Sequence, residues 1–231
     1  LHDGGTPYRD MTVLYRAHYL TRTVEEVLQR EKIPYTIYSG VQFFGRAEIK
    51  DALSYLRMIA CQDDLSFLRI VNQPKRNIGE RRRRLLQEQA AQEGCSLFTA
   101  LRRSVGTEAF RGTGAARFVS LIDAFSSDCS GRSVSEVLSA ILHESGYEAM
   151  LRTEGSQERL DNLAELKQSV YEYETTCGEE CTLEHYLAHV ALFTNADAGD
   201  SRDRVKLMTV HTAKEVGGQA VLGRQVSDAT P

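Results

Sequence analysis

The sequence predicts a fold of the α/β plus all-α class, in which a partial parallel sheet is interrupted by a large helical insertion and most of the chain is helical. Three observations support this prediction. The first forty residues alternate strand, helix and strand patterns, the apolar period changes to 3.6 after Gly45, and a strand pattern returns at residues 204–211. We therefore assign residues 1–45 and 200–231 to one α/β domain and residues 46–199 to the insertion.

Short joints separate the elements of the first forty residues, which is typical of a parallel α/β arrangement. Residues 11–16 form a short apolar run that predicts a buried strand. Thr23 and Glu26 match a capping box, which predicts that a helix begins there. Pro34 ends that helix, and residues 35–38 predict a second strand.

Helical periodicity continues through the insertion. The first predicted helix buries Ile49, Leu53, Leu56, Ile59 and Ala60 and exposes Glu48, Lys50 and Arg57. Further helices are predicted at about 63–71, 80–93, 95–104, 113–127, 133–145, 157–176 and 182–194. Ser133 and Glu136 form another capping box.

The composition is that of an ordinary globular protein, with 231 residues, 42% hydrophobic, 26% charged and a net charge of −4. No apolar run reaches the roughly 18 residues that a membrane span needs, and the first residues lack the pattern of a signal peptide. We therefore expect a cytoplasmic protein without a membrane partner. The chain begins at Leu1 rather than Met, which leads us to expect a piece of a longer protein.

The cysteines and histidines do not favour a metal site. The five cysteines are widely spread, and Cys177 and Cys181 are the one close pair. His185 and His189 lie four residues apart, without the HExxH pattern of a zinc site. We expect free thiols, a partly exposed histidine face and no metal.

Charge is distributed unevenly along the chain. Residues 69–84 contain seven basic residues and one acid, whereas residues 148–184 contain ten acids and three bases. Pro74 and Gly79 predict a turn that enters a helix, whose first turn carries the arginines at 81–84. Such a helix start suits phosphate groups, although spacing alone favours a solvated charged face equally.

Motifs for catalysis are absent from the sequence. It contains no GxxxxGK[ST] phosphate loop, no GxGxxG and no GxSxG. The last predicted strand places Thr209, His211, Thr212 and Lys214 at its carboxyl end, the edge where open α/β sheets bind ligands. These groups suit phosphate oxygens, and a strand that simply ends in polar residues is the alternative.

Four blocks of sequence, in this order, resemble the UvrD/PcrA/Rep-type superfamily 1 ATP-dependent DNA helicases. They are VLYRAH at 13–18, IPYTIYSG at 33–40 with FFGRAEIKDALSYLR at 43–57, DD at 63–64 through RIVNQPKRNIG at 69–79, and KLMTVHTAK at 206–214. A weaker block, RLDNLAEL, lies at 159–166. The resemblance implies part of the second RecA-like motor domain, interrupted by the family's helical insertion, and ATP-driven 3′-to-5′ unwinding of DNA, often in repair.

The resemblance and the basic run together predict the site residues. The predicted contacts to single-stranded DNA and to the duplex junction are Tyr15, Arg16, His18, Lys75, Arg76, Asn77, Gly79, Arg81, Thr209 and His211. Thr212 and Lys214 are predicted to couple DNA contact to the nucleotide. ATP and Mg²⁺ are expected in the full-length protein and not in this chain alone, which lacks the N-terminal RecA-like domain and a complete catalytic set.

Three departures from the family pattern affect these predictions. His18 stands where the family usually has Asn, and Asn77 replaces the first Gly of the usual Gly-Ile-Gly. Residues 215–231 do not continue the family pattern, and we expect them to be disordered. Two other functions remain open: a non-enzymatic module that docks repair proteins through its acidic helices, and part of a RecB- or AddA-like helicase–nuclease.

Overall fold

The computed structural model describes residues 5–15, 21–37, 43–128, 131–177, 181–195 and 203–209. The chain divides into two compact units. One comprises Leu1–Arg46 and Leu192–Pro231, and the other comprises Ala47–Ala191. The predicted disorder of residues 215–231 lies outside the described residues.

The first unit is built on a small parallel sheet. Its strands are β1 (Thr12–Tyr15), β2 (Tyr35–Ile37) and β3 (Val205–Thr209), with α1 (Thr21–Arg30) between β1 and β2. The strand order is β1-β3-β2, and both pairings are parallel. Leu207 therefore lies opposite Val13 on one side and opposite Ile37 on the other. The predicted parallel sheet is confirmed, and its central strand comes from the far end of the chain.

The core of this unit lies between the sheet and α1. Tyr15, Tyr35, Val205 and Leu207 are buried, and partly buried apolar residues pack against them. These packing residues are Tyr8, Met11, Val13, Val24, Leu28 and Ile33. Apolar residues of α1 and of all three strands thus share one cluster. This burial explains why apolar runs in the sequence predicted the strands.

The capping box predicted at Thr23 is wrong. Helix α1 already includes Thr21, so Thr23 lies within the helix rather than at its N-cap. The acid that matters here is Glu25, which is buried. Its carboxylate accepts hydrogen bonds from the Tyr35 hydroxyl at 3.1 Å and from the backbone N–H of Phe43 at 3.3 Å. Glu25 is therefore held by tertiary contacts, and it is not the acid of the predicted capping box, which is Glu26.

The second unit is helical. Its helices are α2 (Ala47–Ala60), α3 (Asp64–Ile70), α4 (Glu80–Glu93), α5 (Leu97–Ser104), α6 (Ala115–Asp128), α7 (Val134–Glu144), α8 (Tyr147–Thr153), α9 (Gln157–Cys177) and most of α10 (Leu183–Asn195). Every predicted helix of the insertion is found within a few residues of its expected position. Helix α8, which lies between Gly146 and Gly155, was not predicted.

Helix α2 is the centre of this unit and packs against α3, α6, α7 and α9. The predicted outer position of Glu48 is wrong, because this residue is buried. Its carboxylate accepts a hydrogen bond from the side-chain amide of Asn162 at 2.6 Å. Neighbours cover α2 on more sides than its amphipathic pattern indicates, so this acid is matched by an internal donor.

Caps mark several of the helix starts. Asp63 accepts the backbone N–H of Ser66 at 2.9 Å at the start of α3. The capping box at Ser133 and Glu136 is confirmed, with both reciprocal hydrogen bonds present. Among the residues that the structure describes, no helix has both the length and the apolar character needed to cross a bilayer.

Candidate nucleic-acid interface

The basic run forms a loop, residues 72–79, that connects α3 to α4. The side-chain oxygen of Asn72 accepts the backbone N–H groups of Arg76 at 2.8 Å and Ile78 at 3.1 Å. Ile78 is fully buried. A polar side chain at one end and an apolar side chain at the other therefore hold the loop in one conformation.

Arg76 faces the interior and has many partners. Its Nη1 lies 2.9–3.3 Å from four carbonyl oxygens that share its two N–H groups, those of Ile70, Val71, Gln73 and Pro74. Its Nη2 donates to the Tyr55 hydroxyl at 2.8 Å and to the Ser145 carbonyl at 3.5 Å. The guanidinium carbon also lies 4.7 Å from the ring centroid of Phe118. This cation is matched within the protein.

Tyr55 completes the arrangement around Arg76. The Tyr55 side chain is fully buried, and its hydroxyl donates to the Gln73 carbonyl at 2.5 Å. Burial raises the pKa of Tyr55, although the neighbouring Arg76 opposes this rise. The hydroxyl therefore remains a donor to the loop at neutral pH.

A second segment closes against the loop at Gly114. The backbone N–H of Gly114 donates to the carbonyl of Arg76 at 2.9 Å. A Cβ at this position would lie 3.0 Å from the Cβ of Arg76, closer than side chains ordinarily pack. The absence of a side chain at Gly114 lets the two backbones approach.

The outer side of the loop presents polar groups. Lys75, Asn77 and Gly79 are exposed. Asn77 has a φ of 59°, in the left-handed region that Asn tolerates better than most residues, so it can replace the family's Gly without losing the turn. Gly79 is the N-cap of α4, and no side chain caps this helix start.

The four arginines of α4 do not behave alike. Arg82 donates to the carbonyls of Ala109 at 2.6 Å and Asn77 at 2.8 Å, and Arg83 has its Nε buried. Arg81 and Arg84 are exposed. Within the described residues, Lys75, Arg81 and Arg84 make no hydrogen bond or ion pair, so they form the exposed basic edge of the loop and of α4.

An acidic side chain from α2, Asp51, neutralises one further cation of the run, Arg69. Arg69 forms an ion pair with Asp51, with 2.6 Å between Nε and Oδ1. Asp51 also accepts the hydroxyl of Tyr147 at 2.6 Å. Burial, and then the hydrogen bond to Asp51, raise the pKa of Tyr147 well above its usual value, so its hydroxyl stays protonated and donates.

The predicted contacts of the first unit are only partly visible. Tyr15 is buried in the core, and burial together with the nearby Glu25 raises its pKa. Backbone pairing places Tyr15 directly opposite Thr209, at the carboxyl ends of adjacent parallel strands. Arg16, His18, His211, Thr212 and Lys214 lie outside the described residues. The roles of these residues stay predictions.

The cysteines and histidines near α9 and α10 form no metal cluster within the described part of the chain. His185 is exposed, whereas the ring of His189 is partly buried and stacks on Tyr173 with 4.4 Å between ring centroids. Burial, and then the charge of His185, lower the pKa of His189.

Sequence reasoning named Arg76 as a DNA contact, but it missed Tyr55 and the contact between these two side chains inside the protein. Tyr55 lies in the block at 43–57 and Arg76 in the block at 69–79, and they meet in the structure. Asn162 of the weaker block likewise contacts Glu48, which lies in the block at 43–57. The signal that could have identified these contacts is the presence of polar residues at apolar positions of the helices, which is typical of buried hydrogen-bonded groups.

Comparisons with known proteins agree with the resemblance seen in the sequence. The UvrD-like helicase C-terminal domain matches residues 1–222. The ATP-dependent DNA helicase PcrA of Staphylococcus aureus is 36% identical over 217 residues, which is 91% of this chain, and that of Staphylococcus epidermidis is 37% identical over the same length. The chain spans 30% of the length of each relative. The resemblance drawn from the sequence is confirmed, and the chain belongs to the UvrD-like helicase C-terminal domain family.

Proposed function

We propose that this chain supplies the DNA-contacting and motor-coupling elements of an ATP-dependent DNA helicase that translocates 3′ to 5′ and acts in DNA repair in the bacterial cytoplasm. Family membership supports the class of protein. The proposed partners are single-stranded DNA, the adjacent duplex, and a further RecA-like domain that carries the phosphate loop.

One observation carries the proposal for DNA contact. The exposed basic edge, formed by Lys75, Arg81 and Arg84, has no partner among the described residues, whereas the neighbouring Arg69, Arg76 and Arg82 are paired internally. Unmatched cations beside an uncapped helix start attract phosphate groups, and they bind DNA without reading its sequence.

ATP and Mg²⁺ are expected to bind the full-length protein and not this chain alone. The described residues contain no cluster of acidic or histidine ligands for a metal, and the sequence has no phosphate loop. We expect this chain alone neither to hydrolyse ATP nor to unwind DNA.

Salt dependence of DNA binding tests the proposal. The chain is titrated with a fluorescent duplex carrying a 3′ single-stranded tail, over a series of NaCl concentrations. Because each phosphate contact releases counterions, Lys75→Gln and Arg81→Gln should each reduce the slope of log K against log [NaCl] by about one. The absence of binding even at low salt would refute the proposal.

Arg103→Gln provides a control matched in charge. Arg103 pairs with Glu93 at the opposite end of α4, so it lies about one helix length, roughly 20 Å, from Arg81. We expect Arg103→Gln to leave the salt slope unchanged. An equal loss of slope in both arginine variants would mean that net charge, and not the basic edge, attracts the DNA.

A protein-interaction module is the second candidate, and the surface of α9 favours it. Glu158, Asp161 and Glu172 are exposed on this helix, and Tyr171 exposes 60% of its surface. An exposed aromatic residue on a helix that carries exposed acids suits a basic partner protein. Capture of a repair protein that survives high salt and nuclease treatment, and is lost in Tyr171→Ala, would support this candidate.

A nuclease domain in the full-length gene would instead indicate a helicase–nuclease.

A further inference from the structure

We infer that Arg76 is a positioning residue for the duplex-contacting loop and that it does not bind phosphate itself. The inference rests on the proposed function and reassigns one residue that the sequence places among the DNA contacts. Lys75 and Arg76 are adjacent in the chain, yet Lys75 is exposed and Arg76 is directed inward.

The hydrogen bonds of Arg76 leave little capacity for a ligand. Nη1 is shared among four backbone carbonyls, and Nη2 faces the Tyr55 hydroxyl and the Ser145 carbonyl. One face of the guanidinium lies over the ring of Phe118, which is itself almost fully buried. A phosphate contact would require these bonds to break in a partly buried site.

The backbone of Arg76 is held as firmly as its side chain. Its N–H donates to the Asn72 side chain at 2.8 Å, and its carbonyl accepts the N–H of Gly114 at 2.9 Å. Arg76 therefore connects α2, the end of α3 and the start of α6, with the exposed Lys75 and Asn77 on either side of it. Fixing Arg76 fixes the positions of both neighbours before DNA arrives.

Tyr55 provides an independent route to the same loop. It is fully buried, so it cannot touch DNA, but its hydroxyl donates to Gln73 and accepts from Arg76. If the loop acts through its preorganisation, loss of this hydroxyl must weaken duplex binding from a position that no ligand reaches.

Charge-conserving substitutions separate the two roles. A lysine keeps the charge that a phosphate needs, but it cannot reproduce the planar fork of donors that serves several carbonyls at once. In the fluorescent duplex titration, Arg76→Lys and Tyr55→Phe should each weaken binding by roughly three- to tenfold, because the loop must then be ordered on binding. Their salt slopes should match the wild type. Arg81→Lys should stay within about twofold of wild-type affinity.

Each variant is assayed well below its unfolding temperature, determined by circular dichroism, so that a merely structural role would leave duplex affinity unchanged. Unchanged affinity in both Arg76→Lys and Tyr55→Phe would overturn this inference and leave the proposed function standing. So would wild-type affinity in Arg76→Lys together with a slope reduced by about one in Arg76→Gln, since Arg76 would then be a phosphate contact. Failure of the wild-type chain to bind the duplex would overturn the proposed function and this inference with it.

Discussion

At the scale of single residues, two buried acids are matched by donors from distant parts of the chain. Asp51 forms an ion pair with Arg69 and accepts a hydrogen bond from the Tyr147 hydroxyl. Glu48 accepts a hydrogen bond from the side-chain amide of Asn162. Each acid is matched by its own donors, so its burial costs far less than burial of an unpaired carboxylate would. Sequence separation between these partners is large, and they meet only in the folded state.

Replacing Tyr147 with Phe tests the value of one such donor. The substitution leaves Asp51 without its hydroxyl donor in a buried site, so we expect a loss of about 1–2 kcal/mol in the free energy of unfolding. Urea denaturation at pH 7 measures it. Tyr171→Phe, at an exposed position on α9, is the control and should change stability by less than about 0.5 kcal/mol. Equal effects in both variants would show that the Asp51 contact contributes nothing.

Gly114 tests the close approach between two backbones. Ala at this position brings a Cβ to 3.0 Å from the Cβ of Arg76, so the loop or the start of α6 must shift. We expect Gly114→Ala to destabilise the chain by about 1 kcal/mol or more. Gly106→Ala is the matched control, because a Cβ there meets open space. Thermal unfolding compares them, and an unaffected Gly114→Ala would show that this contact gives way without cost.

Helix starts carry a measurable part of the stability at the scale of elements. Burial raises the pKa of Asp63, but the hydrogen bonds from Ser66 and the charge of Arg57 outweigh this, and the pKa ends below its usual value. Asp63 is the N-cap of α3, where its carboxylate accepts the Ser66 N–H. The ionised form is therefore preferred in the folded state.

Asp63→Ala should reveal this preference through pH. At pH 7 the substitution removes the cap and should cost about 1 kcal/mol. Because the folded pKa lies below the unfolded value of about 3.9, the charge contributes fully above that pH and its contribution is lost as pH falls through the folded pKa. Urea denaturation between pH 7 and pH 3 follows the difference. Asp63→Asn keeps an acceptor and should restore most of the stability at pH 7. A difference that stays constant to pH 3 would contradict the assignment.

Element types were predictable because apolar spacing reports burial directly. The three strands and the predicted helices appear near the positions where the apolar patterns place them, whereas α8, which lies between two glycines, was not predicted. The errors at Thr23 and Glu48 have different causes: α1 begins before Thr23, whereas Glu48 is buried against Asn162, a partner that local rules cannot identify. Local pattern cannot describe a partner that lies a hundred residues away.

The sequence predicts which segment forms the candidate site, but it does not predict the role of each residue in that segment. Charge density located the basic run at residues 69–84. Whether a given arginine faces inward depends on where carbonyls and aromatic rings of other helices lie, as at Arg76 and Phe118. Adjacent cations therefore have different roles, and a count of charges cannot separate them.

The two units differ in how they are encoded at the scale of the whole molecule. The helical unit, Ala47–Ala191, is one continuous segment, whereas the sheet unit is assembled from both ends of the chain. In the sheet, β3 lies between β1 and β2, so residues 1–46 alone would leave two strands without their shared neighbour.

Truncation tests this asymmetry. A chain of residues 47–191 should give a helical circular dichroism spectrum and a cooperative thermal transition, because it retains its own core. A chain of residues 1–46 should show neither, since the partner strand is missing. Loss of cooperative unfolding in the 47–191 chain would show that the helical unit depends on the rest of the protein.

The central position of β3 also orders events during synthesis. At about 5–20 residues per second, the ribosome needs on the order of ten seconds to extend the chain from Ile37 to Val205. Throughout that interval β1 and β2 have been synthesised but cannot pair through the strand that joins them, while the helical segment is still being completed. Both strands thus remain without β3, and this interval is when chaperones would be most needed.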